Sequence, residues 1–177
     1  MADPGRGRRV EDGQVGANAD LADVCPTTRS VVGGRPYAGA MAHPVMFDDD
    51  DPLLARVRAL ALALPGAAEK VTHGRPAFFT AKVFAYYGGS IKVDGVYEQH
   101  GQSLVVKPDA GERRALVEDP RCYVPAYLGP SGWVGLDLPD DIDDDGWSEV
   151  AELLELSFRE TAGKRLVAQL DAMTATA

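Results

Sequence analysis

Two short segments concentrate the side chains that could bind a ligand. His73-Gly74-Arg75-Pro76-Ala77-Phe78-Phe79 offers an imidazole and a guanidinium, and Tyr127-Leu128-Gly129-Pro130-Ser131-Gly132-Trp133 offers two large rings. Histidine changes protonation near neutral pH and arginine presents a fixed cationic fork, so His73 and Arg75 suit a phosphate or another anion. Tyr86, Tyr127 and Trp133 would add stacking surfaces, while Lys82, Lys92 and Lys107 could reach backbone phosphates from neighbouring strands. A second basic set is Arg113 and Arg114 on a short helix, near Arg121. The same residues also have plain structural uses. Gly74 and Pro76 can shape the start of a strand, Phe78 can enter the core, and Arg75 can satisfy loop carbonyls. Trp133 can pack beneath the Gly132–Gly135 turn, and Arg113 and Arg114 can pair locally with Glu112, Glu118 and Asp119.

Other chemistries find less support. Asp141, Asp143, Asp145, Gly146, Glu149 and Glu152 stand at positions 1, 3, 5, 6, 9 and 12 of an EF-hand-like loop. Position 8 is Ser148 rather than an apolar residue, and a strand rather than a helix is expected before the loop. The aspartates are therefore expected at a turn, favouring a helix N-terminus electrostatically, with no metal assigned. Cys122 has no assigned base beside it and reads as a structural thiol. His73, His100 and Asp94 could meet for acid–base work only through folding. No GxGxxG or Walker A pattern appears, no cofactor is expected, and a non-enzymatic protein is the preferred reading.

The elements that must carry these residues can be traced from spacing. Residues 1–45 build no apolar face and are interrupted by seven glycines, which predicts a flexible extension. A domain over 46–173 and a short tail over 174–177 follow. Asp51-Pro52 is a cap followed by proline at the first helical position, and Leu53, Leu54, Val57, Leu60, Ala61 and Leu64 recur at helical spacing before Pro65-Gly66. Strands are expected at Glu69–His73, Ala77–Phe79, Val83–Tyr87 and Ser103–Lys107, with Ser90–Val93 a further strand or an irregular hairpin. Asp109 and Glu112 cap a short helix to about Glu118, ended before Pro120. Cys122–Tyr127 and Trp133–Leu138 return to the sheet. Trp147, Val150, Ala151, Leu154 and Phe158 stripe a last long helix, which continues past or restarts at Gly163. This order predicts an α+β fold, with N-terminal and C-terminal helices packed on one side of a mostly antiparallel sheet.

The chain has 177 residues and a formal charge of −9. Residues 1–40 hold five acidic and five basic side chains, so the net charge resides in the remainder. An acidic domain is repelled by nucleic-acid and membrane surfaces unless its basic groups gather locally. No membrane partner is expected. Two cysteines and the lack of a basic-then-apolar start suggest a cytoplasmic protein without a secretory signal.

The His73-Gly74-Arg75-Pro76-Ala77-Phe78 segment, the Leu104-Val105-Val106-Lys107 strand, and Tyr127-Leu128-Gly129-Pro130 before Gly132-Trp133-Val134 together resemble the MmcQ/YjbR family. The Trp147 helix followed by Lys164-Arg165-Leu166 fits as well, and the likeness covers approximately residues 50–170. The resemblance implies a compact domain of double-wing or CyaY-like fold and a DNA-binding role, and it carries over no catalytic residue. The expected function is modest DNA or nucleic-acid binding. His73, Arg75, Lys107, Arg113, Arg114, Tyr127 and Trp133 are the candidate contacts. The alternative is a small anionic-ligand or protein-binding module built on the same two turns. The sequence carries no signal for oligomeric state.

Overall fold

A computed structural model describes residues 43–175. Helix α1 (Pro52–Leu62) starts where Asp51 accepts the Leu53 N–H at 2.9 Å, and Pro52 fits its first turn. Six strands follow: β1 (Ala68–Thr72), β2 (Arg75–Phe79), β3 (Val83–Val93), β4 (Val96–Val106), β5 (Cys122–Tyr123) and β6 (Val134–Asp137). Helix α2 (Ala110–Glu118) lies between β4 and β5, with α3 (Asp144–Thr161) and α4 (Lys164–Thr174) at the end. The strands form one sheet in the order β1-β2-β3-β4-β6-β5, and every pairing is antiparallel. The described residues thus form an α+β domain.

All four helices contribute to one core on a single face of the sheet. Leu54 and Val57 from α1, Leu116 from α2, Leu154 and Phe158 from α3 and Leu170 from α4 meet Phe78, Phe84, Leu104 and Val134. Between Phe78 and Phe79 the register with β3 shifts, so Phe84 is an extra residue opposite β2. Such a bulge lets Phe84 and Ala85 both reach the helix side, although neighbours on a regular strand alternate. Phe84 then meets Phe158 edge-on, with centroids 5.5 Å apart. Beside it the fully buried Ser157 hydroxyl donates to the Phe84 carbonyl and accepts the Lys107 N–H at 2.8 Å. Two backbone groups of the sheet are thereby satisfied from a helix. Tyr87 Oη donates to Asp51 at 2.6 Å, tying β3 to the cap of α1.

Two expectations need correction. The fourth strand begins at Val96, not Ser103, and β3 runs unbroken through Ser90–Val93. The cause is the Asp94-Gly95 turn, with φ of 49° and 87°, which joins the Val93–Val96 pair as a two-residue hairpin. Residues Tyr97–Gln102 are mostly exposed, so pairing with β3 makes them a strand without burial. The segment expected as a strand over Cys122–Tyr127 leaves the sheet after Tyr123. Pro125 has no N–H to offer a ladder, and Ala126 N–H instead reaches across to the Ser90 carbonyl at 2.9 Å. Of the two readings of the last helix, the restart holds, with Gly163 as the N-cap of α4.

The extension expected over 1–45 lies outside the described residues through position 42, and 43–45 are neither helix nor strand. Of the expected tail, Thr174 closes α4 and residues 176–177 lie outside the described residues. Among the described residues no helix is long and apolar enough to cross a membrane.

Candidate ligand-binding site

The face of the sheet away from the helices carries a smaller cluster of Val105, Tyr123 and Trp133, bordered by Val83, Tyr86, Ile91 and Leu128. The chain from Val124 to Trp133 crosses this face and is anchored at Ser90. Between that crossing, the β3–β4 hairpin and the β1–β2 turn lies a cavity of about 560 Å³. That size is in the range that admits a small metabolite.

Each flank of the cavity has a local cause in the sequence. His73 and Gly74 have φ of 52° and 77° and make a two-residue turn between the paired Thr72 and Arg75. Arg75 is therefore the first residue of β2, and His73 stands on the exposed turn beside it. Pro44 and Met46 pass against this turn, with Met46 N–H donating to the Gly74 carbonyl at 2.8 Å. A Cβ at Gly74 would lie 2.1 Å from the Pro44 carbonyl oxygen. The His43 and His73 rings consequently meet with centroids 5.1 Å apart.

Arg75 reaches over β3 at a second register break, between Tyr87 and Gly89. Gly88 makes the room, since a Cβ there would lie 2.1 Å from Arg75 Nη1. Nη2 donates to the Gly89 carbonyl at 2.8 Å and to the Gln99 side-chain oxygen. Nη1 is buried without a hydrogen-bond partner among the described residues. Burial lowers the guanidinium's pKa, partly opposed by the Tyr123 phenol. Arg58, Arg121 and Arg159 each engage two carboxylates, whereas Arg75 engages none among the described residues.

The aromatic side of the cavity is set by tyrosines. Tyr86 stands edge-on to Trp133 at 5.4 Å, and its burial raises the phenol pKa. Tyr97 and Tyr127 are stacked at 5.6 Å with planes 14° apart, and Tyr127 Oη donates to Tyr97 Oη at 2.6 Å. This pair joins β4 to the crossing segment while Tyr127 stays 73% exposed. Lys92 stands 5.5 Å from the Tyr97 ring.

Of the candidates named from sequence, His73, Arg75 and Tyr127 border this one cavity. Trp133 lies beneath it, 8% exposed, supporting Tyr86. Lys107 sits at the end of β4, its N–H held by Ser157. Arg113 and Arg114 belong to α2, which packs through Leu116 into the core on the opposite face. The seven candidates therefore do not form one surface. Tyr97 and Gln99 were not singled out from sequence. The Asp94-Gly95 hairpin signal could have placed Tyr97 opposite Lys92, its partner in the ladder.

Side chains considered for catalysis lie elsewhere. Cys122 packs toward the helix-side core, and burial pushes its thiol up to about 11. His100 Nδ1 pairs with Asp137 at 2.7 Å, and its ring stacks on Tyr123 at 4.0 Å. Asp94 is at the hairpin tip, so it is not the partner of His100. In the acidic 141–152 stretch, Asp143 accepts the Gly146 N–H to cap α3, and Glu149 is bound by Arg121. Among the described residues no three His, Cys, Asp or Glu side chains are arranged to hold a metal ion.

The fold and the cavity together define an antiparallel α+β domain that keeps helices on one face and an aromatic cleft on the other. The YjbR family profile matches residues 62–160, more than half of the chain. The chain belongs to the MmcQ/YjbR family. A search of the curated proteins finds no match. The matched span contains Arg75, Tyr86, Tyr97 and Tyr127 but not His43 or Met46, which also line the cavity.

Proposed function

We propose that this protein is a non-enzymatic binding module that receives a small anionic ligand in the cavity beside Arg75. The observation that carries this reading is a half-buried guanidinium with no carboxylate partner among the described residues. A partly desolvated charge without a counter-charge is unfavourable, and an incoming anion relieves it. The surroundings support the same sign. Among the described residues the lining includes His43, His73 and Arg75 but no Asp or Glu, although the chain as a whole carries −9. A second cavity, beside the start of α1, is lined by Asp48, Asp50 and Asp51 and has the opposite character. The one-sided helix layer accords with a double-wing or CyaY-like fold, and the low cysteine count with a cytoplasmic setting.

Thermal unfolding of the full chain with a panel of monocarboxylates, phosphate monoesters and sulfate tests the proposal. Binding to the native state raises stability by about 2.7 kcal/mol at a ligand concentration a hundredfold above Kd. At least one anion is expected to raise Tm, with the rise lost in Arg75→Gln. A panel without effect, or an Arg75→Gln protein that responds equally, overturns it.

One observation favours a second reading, nucleic-acid binding. The exposed Tyr97–Tyr127 stack with Lys92 beside it could hold an unpaired base. Against it, Arg58, Arg121 and Arg159 are neutralised by ion pairs, and Arg113 and Arg114 lie on the other face. Titration with single- and double-stranded DNA and with RNA at low and physiological salt decides. Salt-sensitive binding that is lost in Tyr127→Ala would favour this second reading over the first.

A further inference from the structure

The shape of the cavity narrows the class of ligand, on the premise that it is an anion site. We propose that the ligand is a planar aromatic monocarboxylate, with its carboxylate at Arg75 and its ring against the tyrosine walls.

The charged end follows from the guanidinium. Among the described residues Arg75 is the one lining residue whose side chain is permanently charged, which matches a single negative charge. Its orientation is set before a ligand arrives, because Nη2 is held by the Gly89 carbonyl and Gln99. A guanidinium fixed in place reduces the ordering cost of binding, and a carboxylate reaches it at Nη2 by replacing the exposed Gln99 side chain, since Nη1 is buried. A phosphate dianion would leave one charge without a fixed partner in this lining.

The ring end follows from the walls. Tyr97 and Tyr127 are held 14° from parallel by the bond between their hydroxyls, so they present a stiff, flat surface. Tyr86 is fixed against Trp133, and Val105 and Leu128 complete an apolar interior. Aromatic faces and edges attract another ring through complementary quadrupoles, beyond what burial alone provides. An aliphatic acid of equal size would gain the burial and lose that contact. The volume of about 560 Å³ leaves room for more than one fused ring.

The experiment is calorimetric titration of the full chain with 2-naphthoate, its saturated counterpart decahydro-2-naphthoate, 2-naphthalenemethanol and inorganic phosphate. Naphthoate is expected to bind about fivefold tighter than decahydro-2-naphthoate, the scale of one ring–ring contact. Tyr127→Ala should remove that preference for naphthoate over its saturated counterpart, whereas Tyr127→Trp should restore it. Equal affinity for the aromatic and the saturated acid overturns the aromatic assignment and leaves the anion site standing. Tighter binding of phosphate than of naphthoate does the same. Equal affinity for naphthoate and the neutral alcohol overturns the anion site itself. So does an absence of binding by both acids and phosphate, and the aromatic assignment falls with it.

Discussion

The two faces of the sheet are built from the same strands but held by different means. The helix-side face is closed by interdigitating apolar side chains such as Phe78, Phe84, Leu154 and Phe158, with Ser157 a rare buried polar group whose hydrogen bonds are satisfied. The opposite face is closed by one crossing segment and by polar-tipped rings, with Ser103 and Tyr123 hydroxyls 2.7 Å apart and His100 paired to Asp137. Glycine makes the second face possible. A Cβ at Gly135 or Gly89 would lie 2.2 Å or 2.1 Å from atoms of Tyr123, so the ring lies directly on the strand backbone. One face therefore excludes water thoroughly, while the other packs a thin layer and leaves a cavity at its edge. Stability concentrates on the first face, and the proposed ligand site lies on the second.

Three perturbations would break or sharpen that contrast. The largest expected effect is Phe158→Ala, which empties a site packed against Phe84 and should cost about 3–5 kcal/mol of stability. Chemical denaturation measures it, and a loss no larger than that of a surface substitution would deny the helix-side face its role. Next is Gly135→Ala, which must displace the Tyr123 ring and should cost about 1–3 kcal/mol as an overpacking substitution. The same variant should disturb the near-UV circular dichroism of the tyrosine–tryptophan cluster. An unchanged spectrum with unchanged stability would mean the second face tolerates repacking freely.

The smallest effect concerns the rim of the helix layer. Hydrogen bonds from Arg121, which also holds Glu149 of α3, keep the Asp119 carboxyl below its usual range. A folded pKa below the unfolded one contributes stability above the unfolded value of about 4, which is lost as pH falls through the folded value. Asp119→Asn should therefore lower stability by its full, small amount above about pH 4, flatten the fall in stability below about pH 4, and change little once the pH is under the folded value. Asp119 is partly exposed and its partner Arg121 more so, so the amplitude should be small. Identical pH profiles for the two proteins would show the ion pair to be without weight.

Legibility in the sequence followed the same division. The cap at Asp51, the helix from Asp109 and the stripe from Trp147 to Phe158 were readable because their cues are local and periodic. So was the family, through the spaced Gly-Pro-aromatic segments. The continuous β3–β4 hairpin was missed although Asp94-Gly95 is a local cue, because polar residues 97–102 gave no alternating apolar pattern. The exit of the chain at Val124 was missed because it depends on Ala126 finding Ser90, a contact across 36 positions of sequence.

By itself, the sequence determined the helices, most of the strands, and the two turns that present Arg75 and Tyr127. Those properties arise from neighbours within a few residues, through caps, periodicity and left-handed turn positions. Only the tertiary structure decided that Arg75 and Tyr127 border one cavity and that Arg113 and Arg114 lie on the other face. It also decided that, among the described residues, Arg75 is left without a carboxylate and that Tyr97 completes the aromatic wall. The register breaks at Phe84 and Gly88 and the crossing at Ser90 set these relations, and they exist only once distant strands have paired.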